Sequence, residues 1–174
     1  MNKIYINKKV IVLILTFNGK HLLTEAIDSY LNNDYSNFEI LIIDNNSKDG
    51  TEEWLRSNYP DIMYKNTGEN LGFTGGFNYG MYYAFNSLKA DFVIISNNDV
   101  LVDKSFIQEL VTIQIDNKKA GIVGGKVYFY NDPDRLQTVG FNKTEHSLFG
   151  VKHIGNQELD NDQYNNITKR EFID

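Results

Sequence analysis

Asp91-Phe-Val-Ile-Ile-Ser-Asn-Asn-Asp-Val100 decides how the rest of the chain is read. The apolar run Phe92 to Ile95 passes into the polar tetrad Ser96-Asn97-Asn98-Asp99. A short run with β-branched residues predicts a strand buried on both faces, with the tetrad where it emerges. In open α/β sheets, ligands bind beyond the carboxyl ends of the strands. A carboxylate with two amides at such an end can hold a hard cation through oxygen. The competing reading is a strand-end turn in which Asn and Asp bond their own backbone. Taken by itself, the tetrad favours that second reading.

Working outward changes the balance. Val10-Ile-Val-Leu-Ile-Leu15 is a second apolar run, ending in Thr16-Phe-Asn-Gly19, and Phe38-Glu-Ile-Leu-Ile-Ile43 is a third, ending in Asp44-Asn-Asn-Ser-Lys-Asp-Gly50. Between the last two, His21 to Asn32 carries Leu22, Leu23, Ala26, Ile27, Tyr30 and Leu31 at helical spacing. Thr51 to Asn58 predicts a helix with Trp54 and Leu55 inward, Asp49 and Glu52 as a capping-box variant, and Pro60 as its stop. Ile62 to Lys65 is a short strand. Asn66 to Gly76 is a glycine-rich loop whose backbone N–H groups could approach a ligand closely. Phe77 to Leu88 then reads as a helix with Met81, Ala84, Phe85 and Leu88 on one side.

After the opening strand, a helix starting at Asp103 or Lys104 runs to about Asn117, with Phe106, Leu110, Val111 and Ile113 inward. Gly121 to Phe129 is the next strand. This alternation argues for βαβ units: an α/β chain with a mainly parallel central sheet and helices on both faces. After Asn131 the periodicity fades. Leu136 to Phe141 and Ser147 to Ile154 are short strands, and the polar stretch Gln157 to Asn166 is an exposed loop. Residues 1–130 are expected to form an α/β core and residues 131–174 a loop-rich partial region.

The bulk numbers exclude several classes. The chain has 174 residues, 41% of them hydrophobic and 13% aromatic, which is a globular composition. A net charge of -6 disfavours a nucleic-acid surface. No cysteine is present, so there is neither a disulfide framework nor a thiolate metal site. No apolar stretch reaches the roughly 18 residues of a membrane span. Met1 to Lys9 lacks a signal-peptide core, so a cytoplasmic location is expected. The chain lacks G-x-G-x-x-G after the first strand, G-x-x-x-x-G-K-[ST] and G-x-S-x-G. Those absences leave a dinucleotide oxidoreductase, a P-loop enzyme and a nucleophile-elbow hydrolase unsupported. His21, His146 and His153 show no metal spacing, and surface or packing roles are expected for His21 and His153.

Three polar loops follow three apolar strands: Thr16-Phe17-Asn18, Asp44-Asn45-Asn46-Ser47 and Asn97-Asn98-Asp99. Parallel strands bring such ends to one edge, so the loops should converge on one site. There a carboxylate can accept from an N–H such as the imide of uracil or thymine, and Phe17 offers a stacking face.

Four segments in order resemble the nucleotide-sugar half of a family-2 glycosyltransferase with the Rossmann-like GT-A fold, most closely its rhamnosyltransferase-like branch. They are Val10 to Gly19; Ile42-Ile-Asp-Asn-Asn-Ser-Lys-Asp-Gly-Thr51; Glu69-Asn-Leu-Gly-Phe-Thr-Gly-Gly-Phe-Asn78; and Ile95-Ser-Asn-Asn-Asp-Val100. The resemblance covers residues 8 to 130 and weakens afterwards. It implies nucleotide binding by Thr16, Phe17, Asn18, Asp44, Asn46, Asn70, Gly72, Asn97 and Asn98, with Asp44 on the base. It implies Asp99 as the metal ligand, with Mg2+ or Mn2+ bridging to the diphosphate. Asn97 replaces the first acid of the family's Asp-x-Asp motif.

The implied reaction is an inverting, metal-assisted transfer in polysaccharide or glycan assembly. The donor would be dTDP-rhamnose or a UDP-sugar, and the acceptor a saccharide or lipid-linked glycan. Inversion needs a base for the acceptor hydroxyl. None of Asp160, Asp162, Glu171 and Asp174 matches the family's base motif, so the alternative is a truncated or degenerate donor-binding domain without turnover. A sugar-phosphate nucleotidyltransferase would need a basic glycine-rich loop where Thr16 to Gly19 stands. Apolar surface left exposed would favour a homo-oligomer or peripheral membrane association.

Overall fold

The protein is described by a computed structural model covering residues 7–143 and 150–170. The expectations for Met1 to Ile6, His146, Ser147 to Phe149, Glu171 and Asp174 fall outside the described residues. The chain forms two compact units, Met1–Val111 and Thr112–Asp174.

The first unit is an α/β layer built on β1 (Val10–Thr16), β2 (Phe38–Asp44), β3 (Met63–Asn66) and β4 (Phe92–Ser96). All pair parallel in the order β3-β2-β1-β4. The helices between them are α1 (Lys20–Leu31), α2 (Thr51–Asn58) and α3 (Gly72–Asn86); α4 (Phe106–Asp116) follows β4. Side chains alternate along a strand, so Ile11, Leu13, Leu41 and Ile43 share one face. They are fully buried there in a cluster with Phe77 and Ala84 of α3. Val10, Val12, Ile14 and Ile42 point the other way and are also fully buried, so helices cover both faces of the two central strands.

Three expectations change here. The run Phe92 to Ile95 is not buried on both faces: β4 is last in the sheet order, its apolar residues are half-buried, and Ile95 is 51% exposed. The glycine-rich segment is not loop up to Gly76, because α3 starts at Gly72. A Cβ on Gly80 would sit 2.7 Å from Leu13 Cδ2 and 2.8 Å from Ile43 Cγ1, and one on Gly76 would meet Leu15 and Asn45. The glycines therefore let α3 lie directly on β1 and β2, and that close packing outweighs glycine's poor helix propensity. The inner face of α3 is Gly76, Phe77, Gly80 and Ala84, while Phe85 is exposed.

Smaller differences follow the same logic. On α1, Leu23, Ala26, Ile27 and Tyr30 are buried, while Leu22 and Leu31 are exposed. On α4 the buried positions are Ile107 and Val111. On α2, Leu55 is buried and Trp54 is half-buried, edge-on to Tyr59. Glu52 pairs with Arg56 instead of completing a capping box.

The second unit holds two antiparallel pairs. One joins β5 (Val127–Phe129) and β6 (Asp132–Thr138); the other joins β7 (Phe141–Lys143) and β8 (Val151–His153). The expected strand from Gly121 is thus confined to its last three residues and pairs with β6. The loop from Gln157 carries no strand or helix. It is nevertheless held down, with Asp160 accepting from Lys126 and Tyr128 at 2.6 Å each.

Candidate functional site

The carboxyl ends of the parallel strands meet at one edge. Thr16 is the register partner of Asp44, and Asp44 of Asn66; Ser96 pairs with Ile14. Side-chain and backbone bonds tie the loops beyond these ends together. Asn98 Nδ2 donates to Thr16 Oγ1 at 3.1 Å, joining the β4 and β1 ends. The Asn18 N–H donates to Ser47 Oγ at 2.8 Å, and the Lys48 N–H returns to Asn18 Oδ1 at 2.7 Å, joining β1 to β2. Asn45 Nδ2 donates to the Gly72 carbonyl at 3.0 Å, fixing the start of α3. Asn18 and Asn46 both take positive φ, at 50° and 65°, a left-handed conformation that Asn tolerates better than most residues.

Three helix starts face the same edge. Asn70 Oδ1 accepts from the Gly72 N–H at 2.9 Å, a local turn that begins α3. Asp49 serves α1 and α2 together. Its Oδ2 accepts from the Lys20 N–H at 3.0 Å, and its Oδ1 accepts from the Thr51 hydroxyl at 2.5 Å and the Thr51 N–H at 3.2 Å. Burial opposes ionisation of Asp49, but these hydrogen bonds prevail and hold its carboxyl below the ordinary aspartate value. At the end of β4, Tyr30 of α1 hydrogen-bonds Ser96, and burial pushes its phenol up to about 12.

The convergence creates two adjoining recesses of different character. The first is a cavity of about 420 Å³ that brings together Thr16, Phe17, Asn18, Asn70, Gly72, Asn97 and Asn98. Phe17 is 50% exposed there, its ring open to a ligand. Among its described lining residues the only ionisable side chain is His21. The second cavity, of about 480 Å³, contains Asp44 and Asn46 with Lys48, Glu52, Glu53, Tyr64 and Asn66. The expected site residues are therefore divided between neighbouring recesses.

Asp44 is more enclosed than a simple ligand acceptor would be. It is 1% exposed. Its Oδ1 accepts from the Ser47 N–H at 2.8 Å and the Ser47 hydroxyl at 2.6 Å, and its Oδ2 accepts from the Tyr64 hydroxyl at 2.7 Å. Burial, and then the bond to Asp44, raise the Tyr64 pKa far above that of a free phenol.

Asp99 follows the Asn97-Asn98 pair and is exposed. No cluster of three acidic, histidine or cysteine side chains suited to a metal occurs among the described residues. A single exposed carboxylate at a strand end still suits Mg2+ or Mn2+, which commonly take one or two carboxylates, several waters and substrate phosphates.

Sequence reasoning missed His21, Leu22 and Phe73 in the first cavity, and Tyr64, Lys48 and Asn66 in the second. The signal for Tyr64 and Asn66 was their place at the end of β3, the strand beside Asp44. Among the described residues no helix is long and apolar enough to cross a membrane.

Comparisons with known proteins agree with this architecture. A hexosyltransferase of low-salt glycan biosynthesis, Agl10 of Haloferax volcanii, is 35% identical over 75 residues, covering 43% of this chain and 24% of its own length. An uncharacterised glycosyltransferase of Rickettsia typhi, RT0329, is 30% identical over 155 residues, covering 83% of this chain and 46% of its own. The chain thus spans less than half the length of either relative.

Among solved structures, a mannosyltransferase of Pyrobaculum calidifontis in complex with GDP-Man and Mn2+ superposes with a TM-score of 0.57 at 23% identity, covering 72% of this chain and 37% of its own. TarS (residues 1-349) of S. aureus in complex with UDP-GlcNAc gives 0.51 at 17% identity, covering 71% and 41%. Glycosyl transferase family 2 matches residues 11–173, and the chain belongs to that family.

Proposed function

We propose that the first unit binds a nucleoside-diphosphate sugar and acts as the donor side of an inverting, metal-assisted transfer to a saccharide or lipid-linked acceptor. The observation that carries this reading is the knot of strand ends: Asn98 to Thr16, Asn18 to Ser47 and Asn45 to Gly72. It holds three loops around one cavity at the edge where α/β sheets take ligands.

The two recesses divide a nucleotide sugar by chemistry. The second recess has three carboxylates, Asp44, Glu52 and Glu53, against one lysine. It repels a diphosphate and suits a neutral base with N–H groups. The first recess, with His21 as the only ionisable group of its described lining, takes ribose and diphosphate. Phe17 packs there against the ribose, and the Asn97 and Asn98 amides donate. Asp99 would hold Mg2+ or Mn2+, which when bound supplies positive charge against the departing diphosphate. Thr16 and Asn98 hold each other, so the floor is already ordered before the donor arrives and less entropy is lost on binding. The donors proposed are dTDP-rhamnose and UDP-sugars.

The first cavity's described lining has no carboxylate to act as a base. That favours, as a second reading, donor binding by this chain without turnover of its own. Thermal shift against a nucleotide-sugar panel with and without Mn2+ tests binding, since a bound ligand raises apparent stability. A transfer and donor-hydrolysis assay on the same chain separates the two readings. A flat thermal-shift panel would contradict both.

A further inference from the structure

Three large apolar side chains stand open in the first cavity: Phe17, Leu22 and Phe73, at 50%, 37% and 65% exposure. A single exposed ring is ordinary on a protein surface, but three around one recess mark a surface that a ligand covers. The donor reading puts the base in the second recess, the ribose against Phe17 and the diphosphate beside Asn97 and Asn98. It leaves Phe73, the most exposed of the three, without a role. We propose that Phe73 is a specificity-determining residue for the donor's sugar: its ring is the platform on which the C–H face of the transferred sugar lies. This rests on the donor-binding reading given above.

The ring is fixed before any ligand arrives. Gly72 takes a positive φ of 69°, which glycine adopts without strain. Its carbonyl accepts from Asn45 Nδ2 at 3.0 Å, and its N–H donates to Asn70 Oδ1 at 2.9 Å. Phe73 is the next residue. Its ring meets that of Phe77 edge to face, with centroids 4.7 Å apart and planes at 73°. Phe77 is buried in the core cluster with Leu13, Ile43 and Ala84, so one side of Phe73 rests on a ring that cannot move away. Most of Phe73 remains accessible, and it lines the cavity. Holding the ring in advance lowers the ordering cost of binding.

The parts of a nucleotide sugar differ in what they gain from such a surface. A diphosphate gains nothing by covering an apolar ring, because its charged oxygens would lose water without a partner. A sugar ring carries hydroxyls around its rim and C–H groups across its faces. Its rim suits asparagine amides, and Asn70 and Asn97 line the same cavity as Phe73. Its C–H face suits the phenyl ring, where removing apolar surface from water is favourable without any hydrogen bond. The sugar is therefore the part of the donor that Phe73 complements.

The test is calorimetry in Mn2+ on the 174-residue chain and its Phe73 variants. The ligands are UDP-glucose, UDP-GlcNAc and dTDP-rhamnose, each compared with its own parent diphosphate, UDP or dTDP. Phe73→Ala is expected to weaken the tightest-bound nucleotide sugar about fivefold to tenfold. Its parent diphosphate should stay within about twofold. Phe73→Tyr keeps the flat ring and should restore the wild-type ratio. Phe73→Leu keeps apolar bulk against Phe77 without a flat face, and should show a smaller loss in the same direction. It decides the matter if circular dichroism shows that the alanine variant does not fold. If Phe73 only anchors α3 through Phe77, nucleotide sugar and diphosphate weaken alike, which overturns the proposal while leaving donor binding intact. Affinities unchanged in the folded variants, or a wild type that binds the diphosphates but none of the three nucleotide sugars, do the same. Failure of all five ligands to bind the wild type overturns the donor-binding reading and this proposal with it.

Discussion

Gly80→Ala sets two effects of opposite sign against each other. Alanine is favoured over glycine inside a helix by about 1 kcal/mol, and Gly80 lies inside α3. From local propensity alone, the substitution should stabilise. The packing says otherwise. The new Cβ would lie 2.7 Å from Leu13 Cδ2 and 2.8 Å from Ile43 Cγ1, closer than real Cβ contacts come, and it would also meet Leu13 Cδ1. Leu13 and Ile43 are fully buried, so neither can swing into solvent. Overpacking a filled core costs typically about 1–3 kcal/mol, and a clash with two immobile side chains belongs in the upper part of that range.

The expected net effect is a loss of about 1–2 kcal/mol, which lowers the urea midpoint by roughly 0.5–1 M. Gly121→Ala is the control. Nothing lies within 4 Å of a Cβ there, and its stability should change by less than about 0.5 kcal/mol. Urea denaturation followed by circular dichroism measures both. If Gly80→Ala instead raises stability by about 1 kcal/mol, α3 does not press on β1 and β2, and the account of how Gly72 reaches the cavity fails.

Asp49→Ala removes the acceptor for the Lys20 and Thr51 N–H groups, and should cost about 1–3 kcal/mol near neutral pH for the two caps together. The native carboxyl titrates below the ordinary aspartate value. Its contribution is therefore present above that ordinary value and is lost as pH falls through the lower, folded-state value. Urea midpoints of the two proteins should converge on acidification, and a gap that widens would contradict the assignment. Asp99→Ala should remove the dependence of nucleoside-diphosphate affinity on Mn2+ while leaving metal-free affinity within about threefold. Calorimetry that still shows a Mn2+ effect in the variant would rule Asp99 out as ligand.

Much of the site edge was legible because parallel-strand geometry leaves little choice. Apolar runs ending at Thr16, Asp44 and Ser96 had to emerge on the same side, and register pairing of Thr16 with Asp44 bears that out. The α2 helix matches its expected bounds, Thr51 to Asn58, since Gly50 and Pro60 punctuate it. The start of α3 was not legible. Gly72, Gly75 and Gly76 look like a flexible loop to any local rule; in the fold Gly72 takes a positive φ of 69° and Gly76 lies against Leu15 and Asn45. The burial of β4 was misread because an apolar run does not say whether its strand lies at the centre or the edge of the sheet. The acceptor character of Asp44 is legible, but the bond it receives from Tyr64 depends on where β3 falls, twenty residues further along the chain. A lone histidine carries no spacing signal; His21 is exposed, as expected of a surface residue, and its place beside the cavity follows from α1 beginning at Lys20.

The central claim is that one donor site is made by the ends of β1, β2 and β4 and the start of α3. Amide chemical-shift mapping during a titration with UDP and Mn2+ tests it most directly. The account predicts that the shifted amides concentrate in Thr16 to Gly19, Asp44 to Ser47, Asn70 to Phe73 and Asn97 to Asp99. Shifts confined to the second unit, Thr112 onward, or no shifts at saturating nucleotide, would contradict it.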